Sequence, residues 1–211
     1  MTYRTIAQSG EFELVIKKSR FIAQLAHVTT EEDAQAFIAR VKKTHYKATH
    51  NVPVYQLGDT DQVQRANDDG EPSGTAGVPM LQALQQMGLH DVVAVTTRYF
   101  GGTKLGAGGL IRAYANSVSE AVHHLGVVER QMRTVLTITI AYPQLGPLEH
   151  YLSTNDIAIA ATDYEADLVV TLHVLEAELA ALQAAITDLL SGAVSFTTGE
   201  TLAVFVPVPV D

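Results

Sequence analysis

No lysine or arginine follows Arg133 in this 211-residue sequence. All fourteen bases lie at or before that residue beside thirteen acids, leaving the segment at +1, whereas ten acids and no base follow it, at −10. A break of this kind divides the chain, and the domains are expected at 1–128 and 134–211. The second domain has no cation with which to neutralise phosphates, so any nucleic-acid contact falls to the first. The apolar fraction of 47% and charged fraction of 18% are those of a folded protein with a real core. Without cysteine there is no disulfide and no thiolate metal site, which fits a reducing compartment. Met1 to Gly10 lacks the apolar centre of a signal peptide, and the longest apolar runs are far short of a membrane span. The expectation is a cytoplasmic protein without membrane contact, a monomer or weak oligomer.

Hydrophobic periodicity gives the elements. Glu11 to Lys17 alternates as a half-buried strand, and Ser19 to His27 forms a second. Thr30 opens a helix with Asp33 as capping partner, and Ala34, Phe37, Ile38 and Val41 form its apolar stripe. Strands over Val52 to Gln56 and Val63 to Ala66 precede a helix from Thr75 to Met87, with Val78, Leu81, Leu84 and Met87 on one face and Gly88 closing it. Val92 to Thr96 is a β-branched run suited to a central buried strand. The next helix, Gly108 to Leu125, is expected to bury Ile111, Ala115, Val118, Val122 and Leu125. Beyond it the order is strand (Val135 to Ala141), helix (Pro143 to Leu152), strand (Ile157 to Thr162), strand (Leu168 to Val174), helix (Glu176 to Leu190) and strand (Thr201 to Val208), with a turn at Asp163 to Asp167. β-α-β-β-α-β is the ferredoxin-like order. The fold class is α+β.

Two runs hold eight of the fifteen glycines: 67–77 and 97–110. Each ends where a helix begins, and a helix start offers unpaired N–H groups and partial positive charge to an anion. The second run adds Arg98 and Lys104, with Arg112 one helical step on. The candidate anion- or ligand-binding set is Arg98, Tyr99, Gly101, Gly102, Lys104, Gly106, Gly108 and Arg112, with Ser73, Gly74, Thr75 and His50. Tyr99 and Phe100 offer stacking surfaces for a base. Asp68, Asp69 and Glu71 could hold a cation, Mg²⁺ among them, or orient a hydroxyl, though no residue requires a cofactor. The competing reading makes both runs tight turns that serve backbone geometry alone. Neither run matches a known phosphate-loop fingerprint. His45 and His50 lack a third ligand at supporting spacing, so zinc is set aside. No catalytic residue is assigned.

Four stretches resemble the IMPACT/YigZ family: Lys18-Ser19-Arg20-Phe21-Ile22-Ala23, Ala48-Thr49-His50-Asn51, Asp68 to Gly77, and Thr97 to Gly106. The resemblance is strong over about the first 125 residues and architectural beyond. It implies a first domain with the left-handed β-α-β superfold shared by a small-subunit ribosomal protein, domain four of elongation factor G and small-molecule kinases of the galactokinase–homoserine kinase group. It implies a second domain like a ferredoxin-like domain of elongation factor G. Eukaryotic members regulate translation by competing for an activator of a stress kinase. Many members place a cysteine after His50-Asn51, where this chain has Val52; a thiol nucleophile is therefore excluded.

The leading expectation is a translation-associated regulatory protein that binds RNA, the ribosome or a translation factor through the 98–112 region. The alternative is a small-molecule hydrolase or phosphotransferase acting on an anionic substrate, with metal assistance from the acidic run. A third reading makes the acidic second domain an electrostatic mimic or adaptor for a basic partner.

Overall fold

The computed structural model describes residues 2–164 and 167–210. The chain divides into two compact units, Met1–Arg130 with Phe205–Asp211, and Gln131–Val204. Among the described residues no helix is long and apolar enough to cross a membrane.

The first unit runs β1 (Tyr3–Ile6), β2 (Gly10–Ile16), β3 (Ser19–His27), α1 (Glu31–Thr44), β4 (His50–Leu57), β5 (Val63–Ala66), α2 (Gly77–Gln86), β6 (Val92–Tyr99) and α3 (Ala107–Leu125). Five strands form one sheet in the order β2-β3-β6-β4-β5, every neighbouring pair antiparallel. β3 and β4 both flank β6, so β3-α1-β4 is a parallel crossover around a central strand that the chain adds last. β6 is the β-branched run of the sequence, buried from Val92 to Arg98, because helices cover the sheet on both faces.

Strand alternation sorts the side chains by face. On one side Phe21, Ala23, Val52, Val54 and Ala94 pack against Met80 and Leu84 of α2 and Tyr114, Val118 and Val122 of α3. On the other, Val93, Val95 and Tyr55 pack against Ala34, Phe37, Ile38 and Val41 of α1. Thr30 caps α1 as expected, its hydroxyl accepting the Asp33 N–H at 3.1 Å. Of the expected stripes of α2 and α3, Leu84, Val118, Val122 and Leu125 are buried and Leu81, Met87 and Ala115 pack against the core, but the first residue of each stripe is not. Val78 and Ile111 are exposed, while Met80, Ala83, Ala113, Tyr114 and Ser117 are buried. Tyr114 and Ser117 take those positions because their hydroxyls find buried partners, Glu71 at 2.8 Å and Thr96 at 3.0 Å; a stripe drawn from apolar residues alone passes them by.

A strand absent from the periodicity, β1, pairs with the start of β7 (Val127–Ile140) through Ile6↔Val127 to Tyr3↔Arg130. The 134–140 part of β7 belongs to the second unit. It is followed by a 3₁₀ turn (Tyr142–Gln144), α4 (Leu145–Thr154), β8 (Ile159–Tyr164), β9 (Leu168–Val174), α5 (Glu176–Leu189) and β10 (Ser195–Val208). β7 pairs with β9 and β9 with β8, both antiparallel, and β10 pairs with β7. Leu136, Ile138, Val170 and Leu172 meet Leu148, Leu152, Leu182 and Ile186 in this unit's own core. The middle of the expected Asp163 to Asp167 turn lies outside the described residues. Arg133 is bound by Gln131 Oε1 and the His173 carbonyl within this unit.

The β2–β3 hairpin turns through Lys17 and Lys18, both at positive φ (48° and 68°). Its backbone meets the exit of β6 so closely that a β-carbon on Gly101 would lie 2.0 Å from the Lys18 carbonyl carbon. Gly102, at φ 83°, has nothing within 4 Å of such a carbon. Gly101→Ala should therefore cost about 3 kcal/mol or more, whereas Gly102→Ala should cost only the strain of its backbone, about 1 kcal/mol. Urea denaturation of the two variants checks the difference; equal losses would contradict the packing.

Candidate functional site: a cleft at the start of α3

The exit of β6, the end of the acidic run and the start of α3 converge on a cleft of about 420 Å³. Its walls include Thr49, His50, Glu71, Pro72, Arg98, Phe100, Lys104, Leu105, Gly106 and Leu110. Register explains the meeting: His50 and Phe21 both stand opposite Arg98, so all three side chains leave the sheet on the α2/α3 face.

Arg98 is 5% exposed and donates from Nη1 to Glu71 Oε1 at 2.6 Å. The same oxygen accepts the Tyr114 hydroxyl at 2.8 Å. Glu71 is itself buried, and the pair holds together because the close, hydrogen-bonded attraction offsets the cost of taking both charges out of water. Burial, reinforced by the Glu71 charge, pushes the Tyr114 phenol far above its ordinary pKa, so it stays a donor at working pH. The guanidinium carbon lies 5.3 Å from the Phe21 ring centre and 5.6 Å from that of Phe100, and the buried Nε has no hydrogen-bond partner among the described residues. His50, in the cleft wall, donates from Nδ1 to the Asp69 carbonyl at 2.8 Å, and its Nε2 lies 3.7 Å from Glu71 Oε1.

Gly106, at φ 73°, delivers the chain into α3, whose first turn holds no acid and receives no side-chain cap. The first intrahelical bond is Leu110 N–H to the Gly106 carbonyl, so the amides of residues 107–109 have no acceptor inside the helix. Lys104 is exposed in the cleft wall.

The carboxylates of the acidic run, expected as a candidate cation site, are met by donors of the protein itself. Asp68 Oδ1 accepts the N–H groups of Ala76 (3.1 Å) and Gly77 (2.8 Å), and Oδ2 that of Gly74 (2.8 Å). It is the cap of α2, placed eight residues upstream. Burial pushes its carboxyl up, but the three N–H donors outweigh that and hold it below the usual range. Asp69 accepts from Lys42 Nζ and the Asn51 N–H, both at 2.7 Å. Glu71 serves Arg98 and Tyr114. Each carboxylate is thus occupied by protein donors, and among the described residues no group of three His, Cys, Asp or Glu side chains could hold a metal ion. Ser73, Gly74 and Thr75 belong to this cap, with Thr75 Oγ1 donating to the Pro72 carbonyl, rather than to the cleft wall.

Of the remaining expected residues, His50, Arg98, Lys104 and Gly106 meet in the cleft. Tyr99 does not: opposite Arg20 in register, it leaves the sheet on the α1 face, where its hydroxyl is 3.0 Å from His45 Nδ1. Phe100 is the aromatic in the cleft, fixed by its N–H bond to Thr49 Oγ1. Gly101 is explained by the approach of Lys18, and Gly102 by its positive φ. Arg112 is exposed and does not line the cleft, and Gly108, also exposed, contributes only its backbone to the open first turn of α3. Sequence reasoning missed Tyr114 and Thr49; the signal for Tyr114 is its i+4 spacing from Leu110 and to Val118, which puts a hydroxyl among apolar neighbours.

Residues 17–122 match the family described as Impact N-terminal domain, and residues 138–193 a domain of unknown function, DUF1949. The chain is 47% identical over 199 residues to IMPACT family member YvyE of Bacillus subtilis, covering 94% of this chain and 92% of that one. It is 38% identical over 179 residues to IMPACT family member YigZ of Escherichia coli, covering 84% and 88%. A crystal structure of a hypothetical protein aligns with a TM-score of 0.59 at 35% identity, over 94% of this chain and 98% of that one.

Two outcomes are expected. Glu71→Gln strands a buried guanidinium and should destabilise the protein by about 3–5 kcal/mol, with Tyr114→Phe costing about 1–2 kcal/mol; an unchanged denaturation midpoint in Glu71→Gln would contradict the pairing. Asp68→Ala should cost about 1–2 kcal/mol as a lost helix cap. Because the folded pKa of Asp68 is depressed, its contribution is full above the unfolded carboxylate pKa and fades as pH falls through the folded value. The gap in melting temperature between parent and Asp68→Asn should close toward acid; a gap constant with pH would refute it.

Proposed function

We propose that this chain, which belongs to the IMPACT family, is a translation-associated regulatory protein whose first unit grips an anionic group of RNA, the ribosome or a translation factor. The observation that carries the reading is the uncapped start of α3 opening into the same cleft as Lys104 and the buried Arg98. Glu71 cancels the charge of Arg98, so the net attraction for an anion comes from Lys104 and the helix terminus, with Arg112 outside and the Lys17–Lys18 turn at the exit of β6. Support for the translation setting comes from the family resemblance. The crossover β3-α1-β4 around β6 fits the left-handed β-α-β superfold, and the order β8-β9-β7-β10 with helices after the first and third strands fits the ferredoxin-like one. Nucleic-acid contact is assigned to the first unit, because Arg133 is the only base in the sequence of the second. The protein is taken to work in the cytoplasm.

A second reading, hydrolase or phosphotransferase chemistry on an anionic substrate, is favoured by His50, an imidazole in the cleft wall held through Nδ1 by the Asp69 carbonyl.

Co-sedimentation with ribosomes at low and moderate salt tests the first reading. Binding should fall with salt and drop at least tenfold in the Lys104→Glu/Arg112→Glu variant. Unchanged binding by that variant, or none at low salt, would overturn it.

A further inference from the structure

We infer that the cleft takes one 5′-nucleotide unit, its phosphate at the start of α3 and its base laid on Phe100. This rests on the anion-binding reading of the same cleft and adds what the anion is attached to.

Three features converge. The amides of residues 107–109, uncapped and beside Lys104, are donors suited to a phosphate. Independently, Arg98 is 5% exposed and lines the cleft, and its buried Nε has no acceptor among the described residues. An orphaned, buried guanidinium N–H is costly unless something completes it, and a phosphate oxygen is a fitting acceptor. The third feature tells a nucleotide from a bare phosphate. Phe100 is 48% exposed, and Pro72, Leu105 and Leu110 extend an apolar surface beside it. Phosphate or ribose phosphate leaves that surface wet, whereas a base covers it by stacking, worth about 1–3 kcal/mol. Arg98 stands near the same ring, 5.6 Å from its centre, between the stacking surface and the anion donors. The volume, about 420 Å³, lies in the range of about 300–1,000 Å³ usual for sites that enclose one small molecule.

The nucleotide is either free or the 5′-phosphorylated end of an RNA, and the test separates them. The full chain is titrated calorimetrically with inorganic phosphate, ribose 5-phosphate, AMP and 5′-phosphorylated penta-adenylate. AMP should bind at least tenfold more tightly than phosphate or ribose 5-phosphate. Phe100→Ala should erase that advantage while phosphate binding stays, and Lys104→Glu should weaken all four. Penta-adenylate tighter than AMP by tenfold assigns the RNA end; equal affinity assigns the free nucleotide. If phosphate and ribose 5-phosphate bind as well as AMP and Phe100→Ala is silent, the nucleotide inference falls and the anion site stands. If none of the four binds, both fall.

Discussion

A guanidinium taken out of water must be matched by a carboxylate, and the pairing of Arg98 with Glu71 is the interaction on which the first unit's site depends. It ties the two glycine-rich runs together, since Glu71 lies within the first and Arg98 near the start of the second. Tyr114 joins α3 to the same carboxylate oxygen, so the strand, the loop and the helix are positioned by one acceptor. The cleft is the space left where these three elements approach without closing.

The two runs look alike in sequence and end differently in structure. Each leads into a helix, but the first brings its own anion: Asp68 fills the amides at the start of α2. The second brings none. Gly106 has no side chain to fold back, and the first turn of α3 holds Ala107, Gly108 and Gly109. A helix start completed by its own carboxylate is structural; one left open beside a lysine is available to a ligand.

Much of the fold was legible because strand and helix periods are strong here: β3 and the cap of α1 follow directly from the residues, and so does the β-α-β-β-α-β order of the second half. β1 was not, since four residues without alternation carry no signal until β7 supplies their partner. The chemistry of the acidic run was not legible either. Asp68, Asp69 and Glu71 read as a cation site because spacing reports charge and not the donors that meet it, which here are backbone amides, Lys42 and Arg98. Tyr99 was grouped with Arg98 although adjacent residues on a strand leave opposite faces. His50, Lys104 and Gly106 were legible as neighbours of Arg98 because the register of β4 against β6 and the short loop into α3 leave them little else to approach.

The most direct measurement is an amide NMR titration of the whole chain with inorganic phosphate. The open start of α3 predicts saturable shifts concentrated on Ala107, Gly108 and Gly109, with Ala76 and Gly77, already held by Asp68, unmoved. Shifts absent from α3, or equal at both helix starts, would contradict the assignment of the cleft as an anion site.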